Sequence, residues 1–187
     1  NAAQQPTYGA QINGLAAVDF NVGNRLDSNT NPLGANGDMV SDSALYIVYT
    51  LQSSGLNQSI FNNGANWRSH GPWNNGFVYW DVGTDTGYRI SAPSWAISGE
   101  TLIGMWYSSS TDGVQQVWKN GKLFVGDETG HDTSITGSFS LGTSNLNAAV
   151  GELILINGTL SESDRTKIDA YLMNKWDLSD RRVTGDF

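Results

Sequence analysis

The stretch from residue 114 to 126, VQQVWKNGKLFVG, holds two β-prone runs around Asn120-Gly121. A two-residue hairpin turn of type I′ needs positive φ at both central positions, which Asn and Gly tolerate best. The stretch is therefore a β-hairpin, and the runs on either side extend the same reading. TLIGMWYS (101–108) precedes it as a strand. ALYIVYTL (44–51) is almost wholly apolar, so it reads as a central strand buried on both faces. SIF (59–61) runs into an Asn62-Asn63-Gly64 turn, and FVYWDV (77–82) and YRIS (88–91) follow as strands. LAAVDFN (15–21), GSFSLG (137–142) and GELILIN (151–157) complete the set. Residues 1–14 read as a polar leading segment, and 23–43, rich in Asn, Asp, Gly and Pro, as one long loop.

Strands spaced roughly 8–12 residues apart with turn signals between them predict a two-sheet antiparallel β-sandwich. The C-terminal region differs. Ser161 to Asp164 has the form of a capping box with Asp in place of Glu. Ile168, Leu172 and Trp176 then recur every four residues on one face. This predicts a helix over 161–177 that covers an edge or end of the sandwich.

The totals agree with a β-rich chain. Its 187 residues read as one domain, 1–187, long enough to bury a core without covalent staples. There are 7 Trp, 7 Tyr and 22 Gly, with only 15% charged residues, which does not suit a helical bundle. A net charge of −8 argues against nucleic acid as a partner, and Arg181-Arg182 reads as part of a solvated tail. With no Cys, disulfides, thiolate metal sites and a Cys nucleophile are excluded. No apolar run approaches the roughly 20 residues of a spanning helix, so membrane insertion is not expected.

Alternation divides the aromatic strand. Val78, Trp80 and Val82 share one face and read as core, while Phe77, Tyr79 and Asp81 share the other. His70, Trp73, Asn74 and Asn75 lie on the incoming side and can return over that second face. Rings with a few placed polar groups make a typical ligand surface. The candidate ligand residues are therefore His70, Trp73, Asn74, Asn75, Tyr79 and Asp81. A purely structural reading stands beside this one for Tyr79 and Asp81, as a cross-strand ring and a loop cap.

Catalytic patterns are scarce. No acidic pair is spaced for glycoside hydrolysis, no G-x-S-x-G accompanies His70 or His131, and phosphate-loop, zinc-protease and dinucleotide motifs are missing. The chain is not expected to be an enzyme. Surplus acids instead suggest Ca2+, which takes six to eight oxygen ligands. Asp127 and Asp132 in GDETGHD, with Asp85 behind them, are the metal candidates, and beside this stands the reading of GDETGHD as an exposed, solvated acidic loop.

The segments HGPWNNGFVYWDVG and GYRIS, then VWKNGK, then GELILINGTLSESDRTKIDAYLMNKW, resemble the concanavalin A-like, laminin-G-like domains of bacterial and phage surface proteins. INGLAAVDF matches the early strand, so the resemblance spans roughly residues 4 to 178. It implies a jelly roll with a C-terminal α-helix. It leaves function open, because that fold hosts lectins, adhesion modules and some glycosidases. Asn74-Asn75-Gly76 replaces the family's usual x-Asp-Gly and removes an acid from that turn. The acidic, Cys-free composition further resembles the ligand-binding modules of large RTX-type adhesins. That likeness implies an extracellular module at the bacterial cell surface, inside a longer multidomain chain. It would bind a peptide or protein terminus on another cell, with Ca2+ bridging to the terminal carboxylate. The alternative is a lectin-like module that binds glycan.

Overall fold

A period of two governs the chain up to residue 157, and a helical period replaces it after residue 161. The computed structural model describes residues 4–28, 30–34, 39–64, 67–83, 88–134 and 137–178. The strands are β1 (Thr7–Ile12), β2 (Leu15–Phe20), β3 (Leu26–Asp27), β4 (Met39–Val40) and β5 (Asp42–Leu51). Next come β6 (Ser59–Asn63), β7 (Trp67–His70), β8 (Val78–Val82), β9 (Arg89–Ala92) and β10 (Thr101–Ser109). The last are β11 (Val114–Lys119), β12 (Lys122–Asp127), β13 (Thr133–Ser134), β14 (Phe139–Ser144) and β15 (Ala148–Asn157). The single helix among the described residues is α1 (Glu162–Lys175).

The strands form a β-sandwich of the jelly-roll kind. One sheet has seven strands in the order β1-β2-β15-β5-β10-β11-β12, and the other has six in the order β3-β14-β6-β7-β8-β9. Strands β4 and β13 form a short separate pair. Every pairing is antiparallel. The inner faces meet in a core that includes Leu45, Ile47, Tyr49, Trp80 and Trp106. At its centre the Phe61 ring lies 4.8 Å from Trp67 and 5.5 Å from Trp106, centroid to centroid.

The Asn120-Gly121 hairpin forms as the sequence predicts, with φ of 50° and 75° at its two turn residues. Strand β5 is buried on both faces. Its inward residues join the central core, while Ala44, Tyr46 and Val48 join a second apolar cluster on the sheet's far side.

That second cluster corrects the helix placement. Helix α1 does not cover an edge or end. It lies on the outer face of the seven-stranded sheet, where Leu172, Met173 and Trp176 pack with Tyr46, Val48, Ile103 and Met105. The apolar outward residues of β5 and β10 require such a cover. Ser161 caps α1 and accepts from the Asp164 amide at 3.1 Å, while its own hydroxyl donates to the Asp164 carboxylate at 2.7 Å. Gly151 sits at a bulge in β15, where an added Cβ would stand 2.5 Å from the Trp176 ring. The next residue, Glu152, accepts from Trp176 Nε1 at 2.8 Å and from the Tyr171 hydroxyl at 2.9 Å. The Gly-Glu of this strand and the Lys-Trp that ends the helix are thus two halves of one joint.

Residues 7–12 are a second correction. They form edge strand β1, not a leading segment, and turn through Asn13-Gly14 at φ of 48° and 83° into β2. An edge strand can stay polar because little of it is buried, and Tyr8 is 80% exposed. Residues 67–70, which carry no strand signal of their own, form β7 between β6 and β8. Among the described residues, no helix is long and apolar enough to cross a membrane.

Candidate functional site

On the six-stranded sheet the side chains of β7, β8 and β9 alternate, while β6 carries a bulge between Ser59 and Phe61. Trp67, Val78, Trp80, Val82, Ile90, Phe139 and Leu141 face the core. Their neighbours, Arg68, His70, Tyr79, Asp81, Arg89 and Ser91, therefore face outward. Cross-strand register sets His70 opposite Tyr79, and Asp81 opposite both Arg68 on β7 and Arg89 on β9.

Five of the six ligand residues expected from sequence gather here. The Trp73 ring meets His70 edge-on at 4.8 Å and Tyr79 at 6.3 Å. Phe77 stacks on Tyr79 at 5.8 Å. Asn75 Nδ2 donates to the Tyr79 hydroxyl at 2.8 Å, and Asn75 Oδ1 accepts from the Phe77 amide at 3.1 Å, which fixes the turn. Asn74 is exposed at that turn, and its backbone amide donates to Asn57 Oδ1 at 3.2 Å. Trp73, Phe77 and Tyr79 each keep part of their surface in water.

Asp81 is in this cluster, yet it is not an open ligand group. It is 0% exposed. Arg89 grips it in a fork, with Nε donating to one oxygen at 2.5 Å and Nη2 to the other at 2.7 Å. His70 Nε2 lies 3.4 Å away and Arg68 Nε 3.8 Å. Burial alone would raise the Asp81 pKa. The hydrogen bonds and charges of Arg89 and His70 outweigh it and hold the carboxyl below the ordinary aspartate value. Asp81 therefore anchors the charged side chains around it, and Arg89, spread 4.9 Å over the Tyr79 ring, reaches solvent, as Arg68 does in part. Sequence reasoning missed Arg89. The signal was available: a hairpin that closes after Asp81 returns the chain eight residues later on the neighbouring strand.

An ionised Asp81 can only accept, so His70 turns an Nε2–H towards it, while Nδ1 shares a hydrogen bond with Ser59 Oγ at 2.7 Å whose donor depends on the state of the ring. Ser59, His70 and Asp81 thus follow one another in the order of a nucleophile relay. Their surroundings differ from one, because Ser59 is buried within a strand paired on both sides and Asp81 is engaged first by Arg89.

Asp127 is exposed and accepts from Thr129 Oγ1 at 2.6 Å, and Asp132 is also exposed. Asp85 lies outside the described residues. Among those residues no three His, Asp or Glu side chains gather to hold an ion. His131 instead stacks on Tyr88 at 3.6 Å.

No family profile matches the sequence, and no curated protein matches it. Solved structures do. The CBM40 module of the Ruminococcus gnavus IT-sialidase, bound to α2,3-sialyllactose, is similar over 82% of this chain and 95% of that one. Identity is 13% and the TM-score 0.63. The binding domain of botulinum neurotoxin serotype D is similar over 90% of this chain but 46% of its own length, at 14% identity and a TM-score of 0.63. A putative carbohydrate-binding protein from Bacteroides ovatus is similar over 78% of this chain and 45% of its own, at 12% identity and a TM-score of 0.62. At such identities the likeness establishes the fold, a jelly-roll β-sandwich.

Proposed function

We propose that this chain is a non-enzymatic glycan-binding module of an extracellular protein, with its site on the outer face of the six-stranded sheet. The observation that carries the reading is the ring cluster of Trp73, Phe77 and Tyr79, part-exposed on the sheet face away from α1. Rings offer apolar faces to the C–H faces of a sugar, and Asn75 and Arg89 beside them offer hydrogen bonds to its hydroxyls. The likeness to a module bound to sialyllactose supports the same reading.

The test is binding to an immobilised panel of mammalian and microbial glycans, in Ca2+ and in EDTA. The wild type should bind saturably in both conditions. Trp73→Ala should bind about tenfold more weakly, a loss of about 1.4 kcal/mol. No glycan retained at any concentration would sink the proposal. Binding to peptide termini alone, lost in EDTA, would transfer the function to calcium-dependent peptide capture. Turnover of a retained glycan would make the chain an enzyme.

A further inference from the structure

Register across the six-stranded sheet aligns one outward side chain per strand. Asp27 on β3 pairs with Ser140 on β14, and Ser140 with Asn62 on β6. Asn62 pairs with Arg68 on β7, then Arg68 with Asp81 on β8, then Asp81 with Arg89 on β9. A polar row thus crosses the sheet from edge to edge. A shorter second row, Ser59, His70, Tyr79 and Ser91, runs parallel to it and carries the ring cluster. At roughly 4.8 Å between strands, five steps give the first row a length of roughly 24 Å, far longer than one sugar ring.

We propose that the glycan is a chain lying across the strands along this row, not a single terminal sugar. The inference rests on the glycan reading above. The row offers the Asp27 carboxylate, the Ser140 hydroxyl, the Asn62 amide and the Arg68 and Arg89 guanidinium groups, with buried Asp81 holding the two arginines, and its two Asp and two Arg carry cancelling formal charges. Such a surface complements a hydroxyl-rich ligand better than a polyanion or polycation. Midway along it, Asn62 is half-buried, and its Oδ1 has no hydrogen-bond partner among the described residues. Where it stands that oxygen is closed to solvent, and a turn of the half-buried side chain would present it to a sugar hydroxyl, which would then replace no protein hydrogen bond. Ser140, on the next strand, donates to Asp27 at 2.6 Å and keeps part of its surface open.

The experiment is calorimetric titration with the disaccharide and the hexasaccharide of gluco-, xylo-, manno- and galacto-series, beside the glycan panel. A hexasaccharide should bind at least about tenfold tighter than its disaccharide, about 1.4 kcal/mol. In Ser140→Ala and in Asn62→Ala the ratio of the two affinities should fall towards one. A variant that is merely less stable would weaken both ligands together and leave the ratio alone. Equal affinity for both lengths in the wild type, or panel hits confined to one terminal sugar, overturns the extended site while the glycan reading stands. An unchanged ratio in both variants overturns it too. No binding in either assay removes the glycan reading itself, and the extended site with it.

Discussion

The two sheets have opposite outer faces. That of the seven-stranded sheet carries Ala44, Tyr46, Val48, Ile103 and Met105 and is sealed by α1. That of the six-stranded sheet carries Ser59, Asn62, Arg68, His70, Tyr79 and Arg89, and the helix is absent from it. Both sheets supply the same inner core, so the difference is not needed to make a sandwich. Apolar surface turned outward must be covered, and here α1 provides the cover. Polar surface turned outward is stable in water, and it leaves hydrogen-bonding groups available to a ligand. In this molecule one outer face serves stability and the other is free to serve recognition. Substitutions on the two should then separate into losses of stability and losses of binding.

The largest expected effect is on the covered face. Trp176 is 2% exposed, packs against the second cluster and donates to Glu152. Trp176→Ala should destabilise the protein by about 3–5 kcal/mol, read from denaturant unfolding. Glycan affinity, measured where the variant is still folded, should change little. A loss of less than about 1 kcal/mol would mean that α1 is an accessory element and would break the contrast between the faces.

Asp81 sits between the two roles, being a buried charge on the polar outer face. Asp81→Asn removes the acceptor that Arg89 and His70 share, and should cost about 2–3 kcal/mol at pH 7. The pH dependence sharpens the point. A carboxyl whose pKa is lower in the folded than in the unfolded protein adds stability above its unfolded value of about 4. That stability is lost as pH falls through the folded value. The wild type should therefore weaken as pH drops below about 4, and Asp81→Asn should show a shallower fall. Some slope will remain, because hydrogen bonds also hold Asp42 and Glu152 low against the opposing effect of burial. Equal slopes in the two proteins would remove Asp81 as the electrostatic anchor of this face.

How much of this was legible in the sequence follows the same division. ALYIVYTL announced a strand buried on both sides, and Ile168, Leu172 and Trp176 announced the helix face. Nothing local said that these two surfaces meet, because that depends on where the chain crosses. Asn13-Gly14 carries the same turn signal as Asn120-Gly121, yet β1 was hidden because only Ile12 along it is buried. At the site, alternation placed Tyr79 and Asp81 on the outer face and brought Trp73 and His70 over it. The burial of Asp81 was not legible, since a carboxylate in a sequence looks the same whether it faces water or two arginines. The polar row was invisible for a similar reason. Its six members span residues 27 to 140 and become neighbours only through strand order.

The smallest expected effect tests that row most directly. Ser140 lies on an outward position, and its hydroxyl donates to Asp27, an exposed carboxylate that Arg25 also holds at 2.8 Å. Removing the hydroxyl opens no cavity in the core and leaves Asp27 with its arginine and with water. Ser140→Ala should therefore change stability by no more than about 0.5 kcal/mol. If its unfolding curve overlays the wild type while hexasaccharide affinity falls, the loss belongs to contact with the ligand and not to the fold. A stability loss above about 1 kcal/mol would instead make the Asp27–Ser140 pair part of the sheet's own support, and the recognition face would be narrower than the row suggests.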